Sequence, residues 1–193
     1  MYNDNVTFGR KVGTGMNNRY RSASGDKQGF TIIEVVLVLA IAGLIFLMVF
    51  VALPALQRGQ RDTQRRNDLS RINTQLNNYQ SSTRGKIPAS SSQLDTFVVG
   101  YLDGTSDGYA GNEYVDPNGP NNDAPASDSG YEIIYNDNST ISSPRNAAVY
   151  YTDGQICAED GSGKTTSSGA SARNYALRIK LESQNVLYCV DSN

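Results

Sequence analysis

The sequence predicts an α+β fold: one long N-terminal helix, membrane-spanning over its first half, packs its C-terminal half on a small antiparallel β-sheet. Three observations predict it. They are an uncharged apolar run from Val35 to Leu53, an apolar stripe at Leu69, Ile72, Leu76 and Tyr79, and four β-rich segments in the last third of the chain. With 193 residues and 38% apolar side chains, the chain can fill one modest globular unit beside that run. Composition also removes whole chemistries. The absence of His excludes Ser-His and Cys-His nucleophile pairs, His-ligated zinc and imidazole proton shuttles, and most familiar hydrolase mechanisms go with them. Lys plus Arg total 17 against 19 Asp plus Glu, which gives no basis for direct nucleic acid binding by phosphate neutralisation. The two cysteines, Cys157 and Cys189, are too few for a four-thiolate metal site and leave one disulfide or two free thiols.

Residues 1–29 are polar and carry Arg10, Lys11, Arg19, Arg21 and Lys27 against Asp4 and Asp26, an excess that favours a cytoplasmic amino terminus. The 19 residues from Val35 to Leu53 follow without a charge. As a helix they extend roughly 28 Å, matching the hydrocarbon layer of about 30 Å. The run exceeds the ~7 to 15 apolar residues of a cleaved secretory signal and no A-x-A pattern closes it, so it stays with the mature protein. Its downstream flank is also basic, with Arg58, Arg61, Arg65, Arg66 and Arg71 against Asp62 and Asp68, which leaves orientation by charge close to a tie. Residues 57–68 are polar on all faces and hold Arg58 with Asp62, and Asp62 with Arg66, at pairing spacing. That stretch reads as solvated or packed on a neighbour. The stripe from Leu69 to Tyr79 recurs at threes and fours and needs a partner surface. The helix should stop near Arg84 and Gly85, since Gly suits a left-handed cap and Pro88 cannot continue the ladder.

From residue 85 the chain turns to Gly, Ser, Asn, Asp and Tyr, and Asp103 to Gly130 reads as loop. Strands are predicted at Tyr131 to Tyr135, Ala147 to Thr152 and Tyr175 to Glu182. In the last, Tyr175, Leu177, Ile179 and Leu181 alternate with polar or small residues. Val186 to Val190 follows a short turn at Ser183 to Asn185 and closes a terminal hairpin. One face of this antiparallel sheet should be buried, with the Leu69 to Tyr79 stripe as its cover. Residues 84–193 hold 7 basic and 14 acidic side chains, so this head is acidic.

The most informative stretch is Gly29-Phe30-Thr31-Ile32-Ile33-Glu34-Val35-Val36-Leu37-Val38-Leu39, in which one carboxylate sits inside an apolar segment. An acid in a membrane helix costs roughly 2.5 to 3.5 kcal/mol on insertion scales and marks a functional site. A cut between Gly29 and Phe30 would create an α-amino group in the same apolar layer as Glu34 of a neighbouring copy. Two such charges desolvated together attract strongly, and their pairing would set the axial stagger of packed helices.

This arrangement resembles the class III signal and N-terminal helix of type IV pilins. In that family a prepilin peptidase cuts after Gly and methylates the new N-terminal residue, commonly Phe. The resemblance makes Gly29 the cleavage residue, Phe30 the N-methylated start and Glu34 the assembly carboxylate. It covers Gly29 to about Leu53, including Gly43, where pilins often carry a Gly that lets the helix loosen. Pro54 stands three residues later than the Pro of many pilins, and the 29-residue leader is long. The implied organisation is a cytoplasmic leader over 1–29 that is removed, a long helix over 30–84 that crosses the membrane at about 31–53, and an exported head over 85–193. The leader's orientation puts Cys157 and Cys189 in an oxidising compartment, where a disulfide is expected, and turns the five downstream Arg outward at the neck of the helix.

Three other patterns have plainer readings. Ala158 to Thr165, ending Gly163-Lys164-Thr165, fits a relaxed phosphate loop, but the Ser- and Gly-rich stretch after it is a poor helix former and the match reads as chance. Asp103 to Gly108 opens like a calcium loop through Asp103 and Asp107, with Asp116, Asn118 and Asp123 as further oxygens. Position twelve is Tyr114, so a solvated acidic loop is the favoured reading. Asn138-Ser139-Thr140 is a glycosylation sequon, and Ser90 to Ser92 offer O-linked sites.

The function this implies is a non-enzymatic subunit, a major pilin. It waits in the inner membrane and then polymerises as a homo-oligomeric helical filament through the pilus assembly machinery, ending in an extracellular pilus for motility, adhesion or DNA uptake. The alternatives are a pseudopilin of a type II secretion or competence system, or an uncleaved single-pass anchor presenting a surface-binding domain or an enzyme.

Overall fold

The structure, a computed structural model, describes residues 29–119, 130–137, 140–184 and 187–192. Residues 1–28 of the expected leader, Asp123, the sequon residues Asn138 and Ser139, and Asn185 and Val186 of the expected turn and strand lie outside the described residues. The chain divides into two compact units, Met1–Leu44 and Ile45–Asn193. The helix α1, Ile32–Ser82, begins in the first and ends in the second, and continues through Pro54.

In the first unit, the described residues from Ile32 onward are helical, and large apolar side chains from Phe30 to Leu44 are exposed. In the second unit, the predicted stripe is the buried face of α1: Leu69, Ile72 and Leu76 are at most 1% exposed, with Tyr79 packed at the edge. The helix ends through a 6→1 bond from Gly85 N–H to the Gln80 carbonyl, 2.7 Å, with Arg84 and Gly85 at φ 61° and 82°. Arg84, not Gly85, therefore holds the left-handed cap position, and Gly85 follows it.

A second helix, α2 at Ser91–Tyr101, was not expected. Ser90 caps it by accepting from Gln93 N–H, while the Gln93 side chain accepts from Ala89 N–H at 2.9 Å. Leu94, Phe97 and Val98 share its buried face. Phe97 sits 5.7 Å from Tyr79 edge to face, and 5.7 Å from Tyr101 in a stack. Ser90, offered as a glycosylation site, is thus a helix cap.

The strands are β1 Glu132–Tyr135, β2 Ala148–Asp153, β3 Ile156–Cys157, β4 Thr165–Thr166, β5 Tyr175–Lys180 and β6 Leu187–Asp191. The main sheet has the order β1-β2-β5-β6 and β3 pairs with β4 apart from it. The expectation of a purely antiparallel sheet is corrected: β1 and β2 are parallel, while β2-β5 and β5-β6 are antiparallel. The twelve residues separating Tyr135 from Ala148 are long enough to carry the chain back to the start of a parallel neighbour.

Tyr151, Tyr175, Leu177 and Ile179 meet the α1 stripe and α2 in one cluster. Tyr175 Oη anchors to α1 through Asn73 Oδ1 and Asn77 Oδ1, both at 2.8 Å. The opposite face is also buried, against expectation: Ala148, Thr152, Ala176 and Arg178 are fully enclosed. Arg178 donates to Thr152 Oγ1 at 2.9 Å, Tyr150 Oη accepts from Arg145 N–H at 2.8 Å, and β3 packs on β5 and β6. Burial pulls the Arg178 guanidinium down to about 10.

Candidate functional site

Glu34 lies in the first turn of α1. Its neighbour Thr31 stands one residue before the helix, and the pair reads Thr-x-x-Glu, a capping box. Thr31 Oγ1 accepts from Glu34 N–H at 3.3 Å, and the Glu34 carboxylate accepts from Thr31 N–H and hydroxyl at 3.5 and 3.4 Å. These bonds are long and therefore weak. They nonetheless give the carboxylate a local role at the positive end of the helix dipole, which the reading of Glu34 as an otherwise unexplained charge missed; the spacing from Thr31 was the signal. Gly29, Phe30 and Thr31 are exposed and lie outside the helix. Phe30 is 85% exposed and Ile32 86%.

The apolar side chains after them have no cover. From Val35 to Leu53 the large apolar residues are exposed, and α1 is by length and composition able to cross a membrane. Water would not tolerate such a surface on a soluble monomer.

Beyond it, the sequence left the neck as either solvated or packed on a neighbour, and its side chains divide: residues 57–60 are exposed while Asp62, Arg65 and Asp68 are buried against the head. Asp62 and Arg65 are 3% and 1% exposed. Arg65 grips Asp116 with two bonds, Nε to Oδ2 at 2.7 Å and Nη2 to Oδ1 at 2.8 Å, and reaches Glu182 at 2.9 Å. Arg61 holds the same Glu182 at 2.7 Å, and Asn118 Nδ2 donates to it. Asp62 accepts from the backbone N–H of Glu182 and Ser183 at 2.7 and 2.8 Å. The proposed pairs of Asp62 with Arg58 and Arg66 are corrected accordingly: Asp62 faces Arg65 at 3.5 Å. Arg66 instead stacks 5.1 Å over the Tyr188 ring. Of the five Arg expected to point outward, Arg61 and Arg65 are held by this cluster, and Arg71 bonds Asp68 and Glu113.

The cluster sets its own ionisation. Burial pushes the Asp62 carboxyl up, but hydrogen bonds from Ser183 and Glu182 and the charge of Arg65 outweigh it and hold the group below the usual range. Arg61 holds Glu182 low in the same way. Asp68, buried beside Tyr131, is raised by loss of solvent, and burial raises the Tyr131 phenol.

Cys157 and Cys189 form a disulfide across 32 positions, Cα to Cα 5.9 Å. It ties β3 to the edge strand β6, and such a closure is worth about 3 to 4 kcal/mol in the chain-entropy account. The phosphate-loop pattern lies between β3 and β4, and a strand rather than a helix follows it. Its Gly163 is needed because a Cβ there would come within 2.1 Å of the Leu187 carbonyl oxygen, at φ +69°. In the Asp103 to Gly108 loop, Gly104 has a similar reason: its Cβ would meet the Tyr109 oxygen at 2.2 Å. Asp116 and Asn118 are drawn into the Arg65 cluster, and among the described residues no group of three or more acidic or thiol side chains is placed to hold a metal.

No curated protein and no solved structure matches the chain. Residues 25–50 match the family model described as the prokaryotic N-terminal methylation motif. That segment spans Gly29, Phe30, Glu34 and most of the apolar run, and is the class III signal peptide of type IV pilins. Proteins with this motif are structural subunits rather than enzymes. The methylation motif supports a type IV pilin-like or pseudopilin protein, and the apolar helix, the α+β head and the disulfide fit that layout.

Proposed function

We propose that the chain is a bulk structural subunit of a type IV pilus. Residues 1–29 are a cytoplasmic leader that prepilin peptidase removes after Gly29, and Phe30 becomes the N-methylated start. The segment at about 31–53 holds the subunit in the inner membrane, with residues 85–193 exported, until the assembly machinery draws it into a helical filament of identical copies. There the apolar surface from Phe30 to Leu53 is buried among neighbouring helices and the acidic heads form the exterior. The new amine of Phe30 meets Glu34 of an adjoining copy, a pairing favoured because both charges are desolvated together.

The observation that carries this reading is a single carboxylate at the start of an uncovered apolar helix, within a segment that matches the methylation motif. Glu34→Ala tests it. The variant should insert and be cleaved like the parent, yet enter filaments at least ten-fold less, measured as subunit recovered by shearing the cell surface. Undiminished filament yield would contradict the role of Glu34, and absence of the parent chain from sheared material would favour a pseudopilin.

A further inference from the structure

Arg58 stands on α1 five residues past Leu53, the end of the apolar run. That rise of roughly 7 Å spans the headgroup layer between a hydrocarbon core of about 30 Å and a total thickness of about 40 to 45 Å. Arg58 is exposed. It lines an open groove of about 490 Å³ together with Lys180 at the end of β5, Ser183 and Gln184 in the connection to β6, and Asn146 ahead of β2. The β5-β6 connection therefore sits at the height of Arg58 on the helix.

The charge facing this groove is positive although the head is acidic. Neither Arg58 nor Lys180 makes an ion pair among the described residues. Glu182, the carboxylate on the groove wall, is committed to Arg61 and Arg65. The hydroxyl of Ser183 and the amides of Asn146 and Gln184 add neutral donors. Two uncommitted cations beside neutral donors suit a phosphate oxyanion, and long basic side chains at the end of an apolar span reach headgroups readily.

We propose that this groove binds the phosphate of an anionic phospholipid and seats the head on the bilayer before assembly. The proposal rests on the membrane-anchored reading above. Lipid contact at the groove must be released as the subunit leaves the membrane, which gives the assembly machinery a defined bond to break.

The test titrates the full chain, in a neutral maltoside detergent, with short-chain phosphatidylglycerol and reads bound lipid by native mass spectrometry. Arg58→Gln/Lys180→Gln should bind about 25-fold more weakly, about five-fold per removed cation, the equivalent of about 1 kcal/mol each. Lys86→Gln/Arg173→Gln, which removes two exposed cations outside the groove, should bind like the parent. Equal loss in both variants, or no loss in the first, overturns the proposal. Competition by inorganic phosphate at equal concentration would assign the groove to free phosphate and overturn the lipid assignment. Loss of self-association instead of lipid binding would assign it to a second copy and do the same. Should the first variant lose the near-ultraviolet spectrum of its buried tyrosines, Gln184→Glu, which adds a negative charge to the groove, should weaken binding at least five-fold, and unchanged binding rejects the proposal. Alkaline carbonate extraction separates the two readings. Release of the parent chain into the supernatant would overturn membrane anchoring, whereas a retained chain with unchanged lipid affinity in the variant overturns the groove alone.

Discussion

Arg65 illustrates how a single side chain can organise what looked like a featureless charged stretch. Its guanidinium is enclosed with Asp62, Asp116 and Glu182 around it, so deleting it leaves Asp62 and Asp116 buried with backbone N–H partners but without their shared cation. Arg65→Ala should cost about 3 to 5 kcal/mol in urea unfolding. The same groups set the response to acid. The Asp62 and Glu182 carboxyls lie below their ordinary values of 3.8 and 4.5 in the folded chain. The stability they supply is therefore complete above those values and is lost as pH falls through and below them. Asp68, which is raised, runs the other way but is one group against two. The midpoint of urea unfolding should accordingly fall steeply below about pH 4.5, and Asp62→Asn should flatten that slope. None of this was legible locally. The pairs visible in the sequence were those at four-residue spacing, whereas Arg65 finds its partners at 51 residues' separation and beyond, where only the fold decides proximity. Glu34 is the converse case: its isolation in an apolar run was plain, and so was the Thr31 spacing that caps it.

Among the elements, the α1 stripe, the main-sheet strands and the loop after Asp103 were read correctly, while α2 and the short strands β3 and β4 were not. The α1 stripe was found from its 3.6-residue period and β5 from its alternation, while the other strands of the main sheet were found from their β-rich composition. Helix α2 escaped because its stripe is only three turns long within a Ser-rich stretch, yet Ser90 and Gln93 carried the capping signature. The strand β5 misled in a different way. Its alternation separates apolar from polar, but Arg178 and Thr152 satisfy each other on the second face, so a polar row was buried as well. Parallel pairing of β1 with β2 depends on a connection that no local pattern specifies. Helix α2 supplies a direct check of this packing. Phe97→Ala removes a fully buried ring that is stacked on Tyr101 and meets Tyr79 edge to face, and should cost about 3 to 5 kcal/mol. Ser90→Ala removes one cap and should cost about 1 kcal/mol, both read from the urea midpoint.

For the molecule as a whole, the proposed function assigns stability and assembly to different parts of the chain. The unit from Ile45 onward has its own core, its buried ion cluster and a disulfide closing β3 on β6. The apolar side chains from Phe30 to Leu53 contribute nothing to that core, and their exposure has a purpose only where lipid or other copies replace water. Substitutions at Glu34 should accordingly leave unfolding of the head unchanged while altering assembly. The proposed role of Glu34 in assembly depends on the cut after Gly29, since without it Glu34 has no terminal amine to meet. Intact mass and N-terminal sequencing of membrane-extracted protein test that cut most directly. The account predicts a chain that starts at N-methylated Phe30, and a chain that still begins at Met1 and retains the leader through Gly29 would contradict it.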